Sequence, residues 1–199
     1  MKLAGLLLAG GRSVRMGGND KAFALLDGQP LAAHALACLE QQTEAVLINS
    51  NGAAERFARY GHPVLGDCVP GHLGPLAGLL TGMVWARHHH SHVTHLLSAP
   101  CDAPRLPPDL AIRLMTGLAN SSARIAIARD SFGSHPTIGL WPVALADRLS
   151  TDLLGHGMRA MKQWISQFEV AQVELDAPQL CNINTPADLR AARQCVVPA

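Results

Sequence analysis

Short apolar runs alternate along the chain with segments in which apolar residues recur every three or four positions. The runs predict buried strands, and the segments between them predict helices that cover a sheet. Strands are predicted at residues 3–9, 45–48, 63–65, 93–98, 124–129, 137–140 and 170–175, and helices at 31–39, 53–60, 76–87, 107–114, 143–149, 158–166 and from Thr185 onward. Alternation of this kind is typical of an α/β three-layer sandwich, a mostly parallel sheet with helices on both faces.

Composition and charge narrow the classes of protein that fit this pattern. The chain has 199 residues, of which 48% are hydrophobic, which is enough to build one full core. A net charge of +1 predicts neither a nucleic-acid partner nor a membrane surface. The five cysteines are widely spread without a C-x-x-C pair, which favours reduced thiols. No apolar run approaches the ~20 residues of a membrane span, and we expect a soluble cytoplasmic protein.

A basic, glycine-rich loop follows the first predicted strand. It contains Gly10, Gly11, Arg15 and Lys21, and the last of these is one of only three lysines in the chain. Glycine lets backbone N–H groups approach an anion, and the basic side chains supply the charge that a polyphosphate needs. The spacing fits neither the Walker A loop nor the dinucleotide fingerprint. The loop predicts a nucleoside-triphosphate site, and the alternative is an ordinary turn with solvated arginines.

Polar residues also lie after other predicted strands. Asn49 and Asn51 end the second strand, Asp67 lies in the loop 66–75, and Asp102 follows the strand that ends near residue 98. Ligands of open parallel sheets bind beyond the carboxyl ends of the strands, so we expect these loops to converge. A carboxylate at Asp102 suits Mg²⁺, although an aspartate in a proline-rich loop is more often a turn residue. The residue types alone do not rank Asn49 against Asn51.

Two further features have an ordinary interpretation. The histidines at 88–92 and His95 are expected to form a solvated helix end, with metal binding as the alternative. Cys101 is expected to pack in the core rather than to act as a nucleophile.

Residues 8–21 resemble the glycine–arginine–lysine signature of the molybdenum cofactor guanylyltransferases, a branch of the nucleotidyltransferases with a Rossmann-like fold. Further matches to this family follow in the same order at Asp67 and at residues 74–78, 101–104, 135–137 and 182–186. The ordered set covers nearly the whole chain. It implies a single nucleotidyltransferase domain over residues 1–199, which joins GMP from GTP to molybdenum-molybdopterin with Mg²⁺ and releases pyrophosphate.

The resemblance also implies roles for individual residues. The implied catalytic residues are Arg15, Lys21 and Asp102, and Asp102 is also the implied metal ligand. The implied nucleotide-binding residues are Leu8, Ala9, Gly10, Gly11, Lys21, Asn49, Asp67, Gly74 and Asp102. The implied pterin-binding residues are His135, Arg159, Asn182 and Asn184, although residues 155–158 depart from the family pattern beside Arg159.

The segment 74–78 is associated in that family with guanine selection. Its small residues would let backbone groups meet a base edge, but helix packing explains them equally well. The resemblance further implies protein partners that insert molybdenum or act as molybdoenzyme chaperones.

Three alternatives to this function stay open on the sequence. The nearest is a cytidylyltransferase that acts on the same pterin, and the next is a sugar-phosphate nucleotidyltransferase. A nucleotide-binding regulator without turnover is a third, and pyrophosphate release in the presence of acceptor would separate it from the enzymes.

Overall fold

A computed structural model describes residues 1–10, 21–52, 54–71, 73–175, 180 and 182–194. Within these residues a seven-stranded sheet and a small hairpin form. The strands are β1 (Leu3–Leu8), β2 (Leu25–Leu26), β3 (Gln29–Pro30), β4 (Val46–Asn49), β5 (Val64–Leu65), β6 (His95–Pro100), β7 (Ile125–Asp130), β8 (Gly133–Pro142) and β9 (Val170–Glu174). The large sheet has the order β5-β4-β1-β6-β8-β7-β9, and only β8 runs antiparallel to its neighbours.

Helices cover both faces of this sheet. They are α1 (Leu31–Glu40), α2 (Pro75–His89), α3 (Leu110–Ala119), α4 (Ala146–Leu154), α5 (Met161–Ile165) and α6 (Pro186–Gln194). Strand β1 shows how the sequence divides the layers, because successive side chains of a strand point to opposite faces. Leu3 and Leu7 pack with α1 and α3, whereas Leu6 and Leu8 pack with α2, α4 and α5. The predicted α/β sandwich with a mostly parallel sheet is confirmed.

Several predicted boundaries shift. Segment 53–60 forms a 3-10 helix over Ala54–Tyr60, with only Phe57 buried along it. Strand β8 begins four residues earlier than the predicted start at residue 137. The Asp130 carboxylate accepts the backbone N–H groups of Phe132 (2.8 Å) and Gly133 (3.0 Å), and Gly133 has a φ of 142°. This tight turn lets β7 and β8 pair up to their ends.

Helix α4 extends to Leu154, beyond the predicted end at residue 149, and a buried carboxylate joins it to α5. Asp152 is 1% exposed and accepts hydrogen bonds from Arg148 (2.8 Å), His156 (3.1 Å) and the indole N–H of Trp164 (3.0 Å). Its backbone carbonyl also accepts the N–H of Met158 at 3.0 Å. Asp152 therefore fixes the connection between α4 and α5, which carries Arg159.

The last helix begins beside Thr185, where the sequence predicts its start. Thr185 Oγ1 accepts the N–H of Asp188 at 3.2 Å, and the Asp188 carboxylate accepts the N–H of Thr185 at 2.8 Å. Such reciprocal bonds satisfy donors at a helix start that have no partner within the helix. None of the helices in the described part of the chain is long and apolar enough to cross a membrane.

Candidate active site

Three neighbouring strands bring their carboxyl ends to one edge of the sheet. In the parallel register, Leu8 of β1 lies between Asn49 of β4 and Pro100 of β6. Backbone bonds continue past these ends, from Ala9 N to Asn49 O (2.8 Å) and from Cys101 N to Leu8 O (3.0 Å). The loops that follow the strands therefore start side by side, as predicted.

Lys21 and Asp102 meet at this edge. The Lys21 ammonium forms an ion pair with Asp102 Oδ2, and it also donates to Asn184 Oδ1 at 2.6 Å. The Lys21 and Asp102 side chains are 15% and 17% exposed, so water screens their charges less than at an open surface. The second carboxylate oxygen, Asp102 Oδ1, is buried and accepts no hydrogen bond from the described residues. The two oxygens of Asp102 thus differ, since only Oδ2 has a partner among the described residues.

A second polar cluster surrounds Asp67. Asn49 Nδ2 donates to Asp67 Oδ1 at 3.1 Å, and Asn51 Nδ2 donates to Asp67 Oδ2 at 2.7 Å. Asn51 Oδ1 in turn accepts the backbone N–H of Asp67 at 2.7 Å. Asn49 is 2% exposed, whereas Asn51 is exposed. Both amides therefore orient the same carboxylate, Asn49 from beneath and Asn51 from the solvent side.

The glycines that begin helix α2 have separate structural reasons. Gly74 precedes the helix with a φ of 77°, a conformation that favours glycine. At Gly78, a Cβ atom would lie 2.3 Å from Asn49 Oδ1 and 2.8 Å from Leu8 Cδ2. Gly78 therefore lets α2 pack directly against the side chain of Asn49. This supports helix packing as the reason for a small residue at that position.

A family model for the MobA-like NTP transferase domain matches residues 5–172. The chain belongs to this family. A molybdenum cofactor guanylyltransferase of Bradyrhizobium sp. (strain ORS 278) is 38% identical over 96% of this chain and 91% of its own length. One from Ralstonia nicotianae is 41% identical, with 94% of each chain covered. The fold is similar to the solved structure of molybdopterin-guanine dinucleotide biosynthesis protein A from Archaeoglobus fulgidus, with a TM-score of 0.72. The two chains are 21% identical, and the superposition covers 98% of this chain and 97% of the other.

The residues predicted for the pterin in this MobA-like transferase have different surroundings. Asn184 contacts Lys21, and Asn182 has a buried Oδ1 with no hydrogen-bond donor among the described residues. His135 Nε2 lies 3.0 Å from a carboxylate oxygen of Asp130. The Arg159 guanidinium donates to the carbonyls of Leu153 and Met158, at 2.8 Å each, so it caps α4. The backbone carbonyl of Arg159 lies near Gly74, 3.8 Å from where a Cβ would stand.

Two predicted site residues, Gly11 and Arg15, lie outside the described residues. The contact of Asn51 with Asp67 was not predicted, because the sequence offered Asn51 only as an alternative to Asn49. An Asn-x-Asn pair after a strand is the one signal that could have indicated it.

The histidine cluster lies at the end of α2, away from these contacts. His88 and His89 are exposed, and the His90 ring lies 4.7 Å from that of Trp85. His92 Nε2 lies 2.7 Å from a carboxylate oxygen of Glu44. These positions agree with the predicted solvated helix end. Cys101 packs at the edge of the core beneath α1 and α3, in keeping with its predicted packing role.

Proposed function

We propose that this protein is a molybdenum cofactor guanylyltransferase, which transfers GMP from GTP to molybdenum-molybdopterin and releases pyrophosphate. The observation that carries the proposal is the meeting of Lys21 and Asp102 at the carboxyl ends of β1 and β6. The Lys21 ammonium suits phosphates and the Asp102 carboxylate suits a metal ion, and both lie at the edge of the sheet where such folds bind ligands. The relatives named molybdenum cofactor guanylyltransferase support the choice of nucleotide and acceptor.

The reaction needs no nucleophile from the protein. An oxygen of the terminal phosphate of the pterin attacks the α-phosphorus of GTP, and the bond between that phosphorus and the bridging oxygen to the β-phosphorus breaks. The pyrophosphate leaves with the electron pair of that bond. Because the attacking phosphate is already ionised at neutral pH, catalysis consists of positioning and charge stabilisation. We assign charge stabilisation to Lys21 and Arg15, and the cradling of phosphates to the backbone N–H groups of Gly10 and Gly11.

Asp102 fits a magnesium ligand. Mg²⁺ prefers oxygen ligands and usually takes one or two carboxylates together with phosphate and water oxygens. The buried Asp102 Oδ1, which lacks a hydrogen-bond donor among the described residues, is such an oxygen. When bound, Mg²⁺ would offset negative charge on the reacting phosphates.

Asp67 is the group that we assign to the nucleoside. Its two carboxylate oxygens each accept one asparagine amide, and each keeps a further lone pair for a sugar hydroxyl or a base N–H. Asn49 holds this carboxylate from the core. We assign Leu8, Ala9 and Gly74 to the nucleotide as well, on the family resemblance.

The pterin is assigned to the opposite side of the strand edge. Strand β8 runs antiparallel to β6 with Ser98 opposite Gly139, so residues 135 and 136 extend past the end of β6 at Pro100. This supports His135 on the acceptor side. We assign Asn182, Asn184 and Arg159 to the acceptor on the family resemblance. We further propose cytoplasmic partners that supply molybdenum-molybdopterin and receive the dinucleotide.

One assay tests this function. The protein is mixed with Mg²⁺, molybdenum-loaded molybdopterin and either GTP or CTP, and the dinucleotide is identified by mass. We expect product from GTP. Product from CTP alone would make the protein a cytidylyltransferase, and no product from either nucleotide with sound acceptor would reject the pterin as substrate.

Lys21→Ala provides the matching test of the site. The variant should keep the circular dichroism spectrum of the wild type and lose turnover, because the ammonium would no longer stabilise the phosphates. Lys162→Ala is the control, since Lys162 is an exposed lysine of α5. Unfolding of Lys21→Ala would instead assign Lys21 a structural role.

A further inference from the structure

We infer that Asn184 is a positioning residue for Lys21 and thereby acts on the binding of GTP, not only on the pterin. The inference rests on the proposed role of Lys21 at the phosphates of GTP. Through this contact, the segment that carries Asn184 takes part in nucleotide binding.

The contact itself has the right chemistry for positioning. Asn184 Oδ1 lies 2.6 Å from Lys21 Nζ, while a different acceptor, Asp102 Oδ2, takes a second ammonium proton. A lysine side chain has four flexible carbons, and two acceptors on separate segments restrict where its ammonium can lie. An amide oxygen does this without adding a negative charge, so the ammonium keeps its attraction for phosphate. A second carboxylate at position 184 would cancel that attraction.

Asn184 is also held firmly enough to position another group. Its backbone N–H donates to the Asp188 carboxylate at 2.9 Å, as part of the cap that begins α6. On the other side, Ile183 is fully buried against the hairpin and α1, with Leu26 and Leu31. The backbone N–H of Ile183 donates to the carbonyl of Asp102 at 2.9 Å. The segment is therefore anchored to the residue that shares the Lys21 ammonium.

GTP binding in the absence of pterin distinguishes a residue that positions Lys21 from one that contacts only the acceptor. If Asn184 holds Lys21, truncating Asn184 weakens GTP binding even when no pterin is present. If Asn184 touches only the pterin, GTP affinity without pterin does not depend on it.

The experiment measures GTP binding by isothermal titration calorimetry with Mg²⁺ and without acceptor. Asn184→Ala should weaken binding about tenfold, the effect of losing about 1.4 kcal/mol. Lys21→Ala should weaken it at least as much, and Asn184→Ala should cause no further loss in that background, because residues that act through one contact are not additive. Asn120→Ala, an exposed asparagine at the end of α3, is the matched control and should bind as the wild type does.

The outcomes separate this inference from the proposed function. Unchanged GTP affinity in Asn184→Ala, or losses that add fully with Lys21→Ala, would overturn the inference.

Because Asn184 is exposed, its truncation is expected to leave the fold intact, which a thermal melt checks. If Asn184→Ala fails to fold, Asn184→Asp takes its place and should weaken GTP binding, since its carboxylate cancels the charge of Lys21. Unchanged affinity in that variant would equally overturn the inference. A wild-type protein that binds GTP but forms no dinucleotide would instead reject the proposed function.

Discussion

Replacing Gly78 with alanine tests how helix α2 and strand β4 build the floor of the site. A Cβ at this position would stand 2.3 Å from Asn49 Oδ1, 3.0 Å from Asn49 Cγ and 2.8 Å from Leu8 Cδ2. Leu8 Cδ2 ends a flexible side chain and can move at small cost. Asn49 is buried and bonded to Asp67, so the added methyl must displace it or push α2 away.

The gain in helix propensity on Gly78→Ala is opposed by overpacking and by the loss of hydrogen bonds. Alanine in place of glycine within a helix gains about 1 kcal/mol, whereas overpacking a tight contact costs about 1–3 kcal/mol. Displacing Asn49 also removes its hydrogen bonds to Asp67 Oδ1 (3.1 Å) and to the carbonyl of Leu65 (3.3 Å), each worth about 1 kcal/mol. We expect Gly78→Ala to lower the free energy of unfolding by about 3 kcal/mol, which for a chain of this size lowers Tm by about 6–12 °C.

Thermal and urea unfolding of four proteins measure this effect: the wild type, Gly78→Ala, Asn49→Ala and the double variant. Because Asn49→Ala removes the atoms nearest to the new methyl, the two substitutions should be coupled by about 1 kcal/mol or more. Gly52→Ala is the control, since its nearest neighbour would be Ser50 Oγ at 3.7 Å. Equal effects of Gly78→Ala with and without Asn49 would refute this packing account.

Two other clusters give further predictions. Asp152→Ala leaves the buried indole N–H of Trp164 without its acceptor and should reduce the free energy of unfolding in urea by about 2 kcal/mol. Burial raises the pKa of Asp152, but hydrogen bonds, led by that from Arg148, lower it overall below its usual 3.8. Its contribution to stability is therefore complete above that pH and lost as the pH falls below it, so Asp152→Ala should flatten the acid limb of a stability–pH profile. Asn51→Ala removes two hydrogen bonds to Asp67 and should raise KM for GTP about tenfold in steady-state assays, with a smaller change in kcat.

Much of the fold could be predicted because strand burial follows local pattern. Strand β1 is apolar at every position from Leu3 to Leu8, and the structure buries all six residues. The segment 54–60 was harder to assign, since a short stretch with one buried aromatic residue does not distinguish a 3-10 helix from an α-helix. The start of β8 depended on the Asp130 carboxylate capping a turn, which apolar periodicity does not report.

The position of the site was also predictable, but the side-chain contacts within it were not. Parallel strands place their ends together, so the sequence indicated that the loops after β1, β4 and β6 would meet. It could not indicate which side chains would pair across them. Lys21 and Asn184 are separated by 163 positions, and nothing in either segment specifies the other. The tight approach of Gly78 to Asn49 likewise exists only once α2 lies on the sheet.

The charges of the assembled site show how a nearly neutral protein could bind a polyanion. Lys21 and Asp102 form an ion pair, so their charges largely offset each other before any phosphate is considered. Asp67 adds another carboxylate nearby, where it suits a nucleoside better than a phosphate. On the proposed function, Mg²⁺ at Asp102, Arg15 and the backbone N–H groups of Gly10 and Gly11 must then add to the attraction of Lys21 for GTP. Asp102 would hold Mg²⁺ and also pairs with Lys21, whereas Asn184 holds the same ammonium with an uncharged oxygen and so leaves its attraction for phosphate intact.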